Sequence, residues 1–156
     1  MSSSTLHERG AADHRSTGRF GLHLTLDGYG GSPERLGDRR VVRAWLDELP
    51  DALGMQKLIE PCLVEVDARN EKDPGGITGF MLIAQSHLSI HTFPRRRFLT
   101  ADVFTCQDHL DYESIRQSLI STFELGDVET HLIPRGTRYP LVDLDDERPT
   151  DAPASE

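Results

Sequence analysis

The chain has 156 residues and a formal net charge of −9, from 26 acidic and 17 basic side chains. That length suits one domain, and the acidic balance excludes the basic surface that a nucleic-acid binder carries. Two cysteines, no apolar leader and no apolar run near membrane-spanning length exclude a disulfide framework and a membrane anchor, so a reduced, cytoplasmic, soluble protein is expected.

Residues 1–19 are polar with no apolar period and are expected to form a disordered N-terminal tail. Residues 140–156 read as an acidic, flexible C-terminal tail. The folded domain is expected over residues 20–139. It opens with an alternating run, 20–27, that sets Phe20, Leu22, Leu24 and Leu26 on one face of a half-buried strand. His23 and Thr25 fall on the other face, which is either solvated or the floor of a site.

Ser32 and Pro33 carry a helix-start signal. A helix is expected over residues 38–53, with Val41, Val42, Trp45, Leu46 and Leu49 as its apolar stripe and Pro50 and Gly54 breaking it. Residues 58–66 form the second strand candidate, with Pro61 pointing to an edge or an irregular start. A polar loop, 67–76, leads to a nearly continuous apolar run, 77–84, expected to be a buried central strand. Strands over 88–93 and 98–105 follow, joined through Arg95, Arg96 and Arg97, which read as an exposed loop or an anion-facing one. A second amphipathic helix is expected over 111–123, capped by Asp108 or Asp111 and stopped at Gly126. A last strand covers 128–134.

The order β-α-β-β-β-β-α-β predicts an α+β fold, a two-layer α/β sandwich with a mostly antiparallel sheet and two helices on one face. The other sheet face then needs cover. A second copy of the chain is the economical candidate, which predicts a homodimer that forms a larger sandwich.

Reactive side chains concentrate between Ser86 and Cys106. Ser86 ends one strand and His91 lies five residues on, an odd spacing that puts regular-strand side chains on opposite faces. The two cooperate only if Ser86 sits in a turn or bulge. His87, Ser89 and His91 share a face, as do Asp102, Phe104 and Cys106. The residues alone leave three readings open: a polar sheet face with a buried cysteine, nucleophilic catalysis, or a metal site. The last is the poorest, because His87 and His91 lack a third ligand and neither CxxC nor HExxH is present.

The run Ser86-His-Leu-Ser-Ile-His-Thr-Phe-Pro, followed by Ala101-Asp-Val-Phe-Thr-Cys106, closely resembles the bacterial and archaeal S-adenosylmethionine decarboxylases, which read E-S-H-x-[ST]-I-H-T-W-P and then V-D-V-F-T-C-G. His23-Leu24-Thr-Leu-Asp27-Gly-Tyr-Gly30 resembles that family's opening strand, H-L-x-x-D-x-x-G. Gly76-Ile-Thr78-Gly79 is similar to its G-V-S-G. The likeness spans roughly residues 22–139.

The resemblance implies a proenzyme that cuts itself between Gln85 and Ser86. The Ser86 hydroxyl attacks the preceding carbonyl, β-elimination cleaves the ester, and Ser86 becomes a pyruvoyl group. That covalent group would form a Schiff base with the amine of an amino-acid-type substrate, the role pyridoxal phosphate plays elsewhere, so neither that cofactor nor a metal is expected. By resemblance His91 accepts the processing proton, Cys106 protonates the product carbon and Thr78 stands where the family has a processing serine. The implied reaction is decarboxylation of S-adenosylmethionine for spermidine and other polyamine biosynthesis.

Four departures bear on that reading. Gln85 replaces the family's Glu, Phe93 its Trp, and Arg95 a Glu that contacts the substrate ribose. The loop 70–74 holds no aromatic to stack on adenine. Phe93 and Arg95 are therefore candidate substrate-binding positions where specificity has moved. The alternatives are a pyruvoyl decarboxylase of another amino acid, such as arginine or ornithine, and an uncleaved, non-catalytic homologue.

Overall fold

The computed structural model describes residues 18–140, so nearly all of both expected tails lies outside the described residues. The elements are β1 (Gly21–Tyr29), α1 (Pro33–Gly37), α2 (Arg39–Ala52), β2 (Cys62–Val66), β3 (Gly76–Ile83), β4 (Ser86–Phe93), β5 (Phe98–Thr105), α3 (Tyr112–Phe123) and β6 (Asp127–Arg135). The strands make one sheet in the order β2-β3-β4-β5-β1-β6, with every neighbouring pair antiparallel. This is the α+β arrangement read from the sequence.

Alternation along the strands builds the core. Leu22, Leu24 and Leu26 of β1, Leu88 and Ile90 of β4, and Leu99, Ala101 and Val103 of β5 are all buried on one face. Val42, Trp45, Leu46 and Leu49 of α2 and Ile115, Leu119 and Phe123 of α3 complete that layer. Full burial of one such aliphatic chain contributes about 1.5–3 kcal/mol, so the helix-bearing face holds most of the stabilising contacts. At Gly76 a Cβ would collide with the Thr92 carbonyl. Glycine there lets β3 and β4 close on each other beside Thr78 and His91.

Among the described residues, none forms a layer on the opposite face. It mixes polar groups with large apolar ones, and Val64, Phe80, Leu82 and Ile133 are exposed by 56%, 42%, 42% and 43%. A sheet face with this much apolar surface is the kind that meets a partner.

Several boundaries differ from the sequence reading. Three helices, not two, lie on the inner face. Ser32 caps the short α1 through the Arg35 amide, and Asp38 starts α2 through the Arg40 amide, so a chain turn separates cap signal from long helix. Pro50 does not break α2. It sits in the last turn, and the helix runs on to Ala52 before Gly54 takes a positive φ of 66°. β2 starts at Cys62, after Pro61, and not at 58. α3 is capped by Asp111, but its left-handed stop is Glu124, two residues before Gly126. Pro94–Arg96 form a single 3-10 turn, with Arg97 left-handed at φ 53°.

Candidate active site

β4 begins at Ser86, two residues earlier than the apolar pattern indicates, because Ile83 and Ser86 pair across a two-residue turn, Ala84-Gln85. Gln85 carries that turn with φ 55°. A left-handed non-glycine residue costs roughly 1–2 kcal/mol, so the peptide before Ser86 is held in an unfavourable backbone state. The Ser86 hydroxyl oxygen accepts a hydrogen bond from the Cys106 amide at 3.1 Å. The Cys106 thiol donates weakly to the Ala84 carbonyl at 3.9 Å. Ser86, Gln85 and Cys106 thus meet at one end of the sheet's strands, on the β3–β4 turn and just past the end of β5.

Thr78 and His91 meet elsewhere. They are opposite one another on β3 and β4, and the Thr78 hydroxyl lies 3.0 Å from His91 Nδ1. Five residues of extended strand separate His91 from Ser86, about 16 Å at the usual rise. The fold therefore brings together two pairs, Ser86 with Cys106 and Thr78 with His91, but does not join the pairs within one chain. Phe93 lies beside the second pair in a cavity of about 290 Å³ that Lys72, Asp73 and Thr78 also line. One side of its ring is taken by Phe98, stacked at 5.7 Å. Arg95 and Arg96 line a neighbouring cleft of about 320 Å³, joined to the first through Asn70. A larger cleft, about 610 Å³, runs between α2 and α3 on the other side of the sheet. None of the predicted site residues lines it, so its size does not make it the site of this chemistry.

Between the two pairs runs a polar chain that sequence reasoning did not assemble. Ser89 Oγ donates to Asp102 Oδ2 at 3.2 Å, and His23 Nε2 lies 2.8 Å from Asp102 Oδ1. The Arg135 guanidinium donates to His23 Nδ1 at 3.0 Å, which leaves the proton of a neutral His23 on Nε2, facing the carboxylate. The chain crosses four strands, β4, β5, β1 and β6. Its members could be placed on one face by alternation, but only the register sets them opposite one another.

Phe104 flanks that chain and touches His87 at 5.3 Å between ring centres, with the Arg135 guanidinium 5.3 Å over its face. Burial against this cluster lowers the His87 pKa from 6.5; the neighbouring His23 and Arg135 side chains add to the shift and Asp102 opposes it. His87 is therefore neutral at pH 7. Because its folded pKa is depressed, acidification protonates the unfolded chain first, and stability falls as pH drops below 6.5 toward the lower folded value. An imidazole titration followed by NMR should give a His87 midpoint below 6.5. Phe104→Ala should move that midpoint upward by wetting the ring.

Among the described residues no group of three or more His, Cys, Asp or Glu is placed to hold a metal ion, and no helix is long and apolar enough to cross a membrane.

Residues 22–136 match the family model described as S-adenosylmethionine decarboxylase. The S-adenosylmethionine decarboxylase proenzyme of Archaeoglobus fulgidus is 29% identical over 116 residues, 74% of this chain and 97% of that protein. The proenzyme of the same name from Pyrobaculum islandicum is 32% identical, over 70% of this chain and 82% of its own. That from Thermodesulfovibrio yellowstonii is 36% identical, over 67% and 73%. The crystal structure of the adenosylmethionine decarboxylase from Aquifex aeolicus shares the fold, with a TM-score of 0.64 at 24% identity, covering 83% of this chain and 98% of that one. With the motif residues at the ends of β3, β4 and β5 and a family match over most of the described domain, the chain belongs to the S-adenosylmethionine decarboxylase family, and with it to the carboxy-lyases.

Proposed function

We propose that the chain cuts itself between Gln85 and Ser86 and then decarboxylates S-adenosylmethionine in the cytoplasm, supplying polyamine synthesis. The strained turn at Gln85, with the Ser86 hydroxyl fixed by the Cys106 amide, is the observation that carries this reading. Attack of that hydroxyl on the Gln85 carbonyl carbon gives an ester and frees the Ser86 nitrogen, which relieves the left-handed turn. Loss of the Ser86 α-proton then expels the Gln85 carboxylate and cuts the chain. The dehydroalanine left at position 86 takes up water and releases ammonia, and the pyruvoyl group so formed supplies an electron-withdrawing carbonyl next to the substrate amine.

His91 is the candidate base for that α-proton, with Thr78 holding its Nδ1. It lies about 16 Å from Ser86 along the same strand, beyond direct proton transfer. The pairs become one site if two chains pack outer face to outer face, so that the Ser86 main chain and the outward Cys106 of each chain meet Thr78 and His91 of the other. Such a homodimer also covers the exposed Phe80 and Leu82.

A second reading keeps the machinery and changes the amino acid, to arginine or ornithine for example. It is favoured by the groove beside His91, where one side of the Phe93 ring is already stacked on Phe98 and so is closed to a nucleobase.

Intact mass of the purified protein, followed by carbon dioxide release from carboxyl-labelled S-adenosylmethionine, arginine and ornithine, separates these readings. Two fragments meeting at Gln85/Ser86, with release from S-adenosylmethionine, are expected. Release from arginine or ornithine alone would transfer the assignment to the second reading, and an uncut 17.5 kDa chain would overturn both. The shared site has its own test. Ser86→Ala and His91→Ala chains, each uncut alone, should regain cleavage on mixing, in about half of the His91→Ala chains if subunits exchange at random. No regained cleavage after proven exchange would remove the two-chain site.

A further inference from the structure

We infer that the hydrogen-bonded chain Arg135–His23–Asp102–Ser89 sets the register in which a second copy of this chain docks on the outer sheet face. The inference rests on the two-chain site proposed above. It adds where the symmetry axis runs and which groups hold it there.

If Ser86 of one chain meets His91 of the other, the strands of the two sheets oppose each other in direction. The two-fold axis then lies in the plane between the sheets and crosses the strands. Along β4 the midpoint between residues 86 and 91 falls between Leu88 and Ser89, and of these Ser89 faces outward. Along β5, Cys106 must approach the level of Thr100, which sits opposite His91, and the midpoint falls at Val103, between the outward Asp102 and Phe104. Ser89 and Asp102 are themselves a register pair, and Thr25 of β1 and Phe80 of β3 continue the same row. The axis therefore follows this row across the sheet. Ser89 and Asp102 of the polar chain lie on it and face their own copies, while His23 and Arg135 lie two and four positions off the row and hold Asp102 from the side.

The rest of the face does not fix a register. Phe80, Leu82, Val64 and Ile133 present apolar contact, which is non-directional. A slip of two residues keeps every outward side chain outward, yet would carry Ser86 about 7 Å along the strand from its intended position. A directional polar pair on the axis, Ser89 with Asp102, penalises such slips, because a shift sets the Asp102 carboxylate against the apolar side chains beside it. Fixing register is the best-attested use of a buried polar cluster. Two Asp102 carboxylates near one axis would repel. Each is answered within its own chain by His23, Ser89 and, beyond His23, the Arg135 cation.

Cross-linking tests this in full-length protein carrying Cys62→Ser and Cys106→Ala. Thr25→Cys, on the axis row but outside the polar chain, should join to its own copy through a short bis-maleimide. Tyr29→Cys, four residues along β1, should not. Adding Asp102→Ala should cut the Thr25→Cys cross-link at least tenfold and, in the otherwise native chain, slow self-cleavage by a similar factor with the circular dichroism unchanged. Should Asp102→Ala fail to fold, Arg135→Gln, on the exposed end of β6, should lower both readouts at least threefold. An undiminished Thr25→Cys cross-link in these variants overturns the register role and leaves the two-chain site standing. A cross-link through Tyr29→Cys and none through Thr25→Cys overturns the axis as well. Failure of the mixing experiment above is the separate sign that the shared site itself is wrong.

Discussion

Ser86→Ala is expected to leave the chain whole and inert. Self-cleavage needs an oxygen nucleophile at this position, and alanine supplies none. The purified variant should show a single mass near that of the full chain, 17.5 kDa for the parent, and carbon dioxide release should fall to background. The loss should be complete, because the same residue is both the nucleophile and the source of the carbonyl group. Folding should survive. Ser86 opens a strand, and its one recorded side-chain bond is from the Cys106 amide, at a half-buried edge where water can replace it. Ser86→Thr should cut slowly, since it keeps the hydroxyl and adds a methyl in a tight turn. Ser86→Cys should cut through a thioester. Parent-rate turnover by Ser86→Ala would end the self-processing account. An uncut but unfolded Ser86→Ala would be uninformative by itself, and Ser86→Cys then decides the matter by whether a new N-terminus appears.

Much of this site was legible in the sequence because its parts are local. The order of elements followed from the switch between a period of two and a period of 3.6. The outward set His87, Ser89 and His91 followed from strand alternation. The resemblance supplied roles to residues that lie in one short run. Boundaries were less legible. Pro50 looked like a breaker, yet a proline in the last turn forfeits only one hydrogen bond in a helix already packed through Trp45, Leu46 and Leu49. Gly126 looked like the helix stop, yet Glu124 takes the left-handed position, and its amide bonds the Ile120 carbonyl.

The illegible part was non-local. Nothing along the chain states that His23 is two positions from the partner of Asp102, or that Arg135 reaches across β6 to the same imidazole. Those contacts depend on register, which packing of the whole sheet sets. The separation of Ser86 from His91 was present as a spacing of five. Its meaning appears only once Ser86 is seen to open the same regular strand that carries His91, with no bulge to draw them together. A sequence motif that looks like one compact site is, in this fold, spread along one strand, with Ser86 paired to the buried Ile83 at its start and His91 on the outer face near its end.

Cys106 separates the two chemistries, and Cys106→Ala should divide them cleanly. The contact from Cys106 to Ser86 comes from its main-chain amide, which alanine keeps. Self-cleavage of Cys106→Ala should therefore proceed to the same fragments, within a few-fold of the parent rate. Decarboxylation should not, because the thiol is the group proposed to return a proton to the product carbon. Loss of a positioned acid is worth roughly 10²–10⁴ in rate, and the fall should appear in kcat. KM should move little, since the thiol contributes one weak contact, to the Ala84 carbonyl at 3.9 Å. Cys106→Ser retains a proton at the same place but holds it far more tightly, so it should recover only a small part of the lost rate. The measurement is carbon dioxide release per cleaved chain, with the cleaved fraction taken from intact mass. If Cys106→Ala turned over at the parent rate once cut, the proton would have to come from another group. His87 is the nearest candidate, since it follows Ser86 directly and packs on Phe104, two residues before Cys106. If Cys106→Ala failed to cut at all, the thiol and not the amide would be what steadies Ser86, and the division of labour between main chain and side chain would reverse.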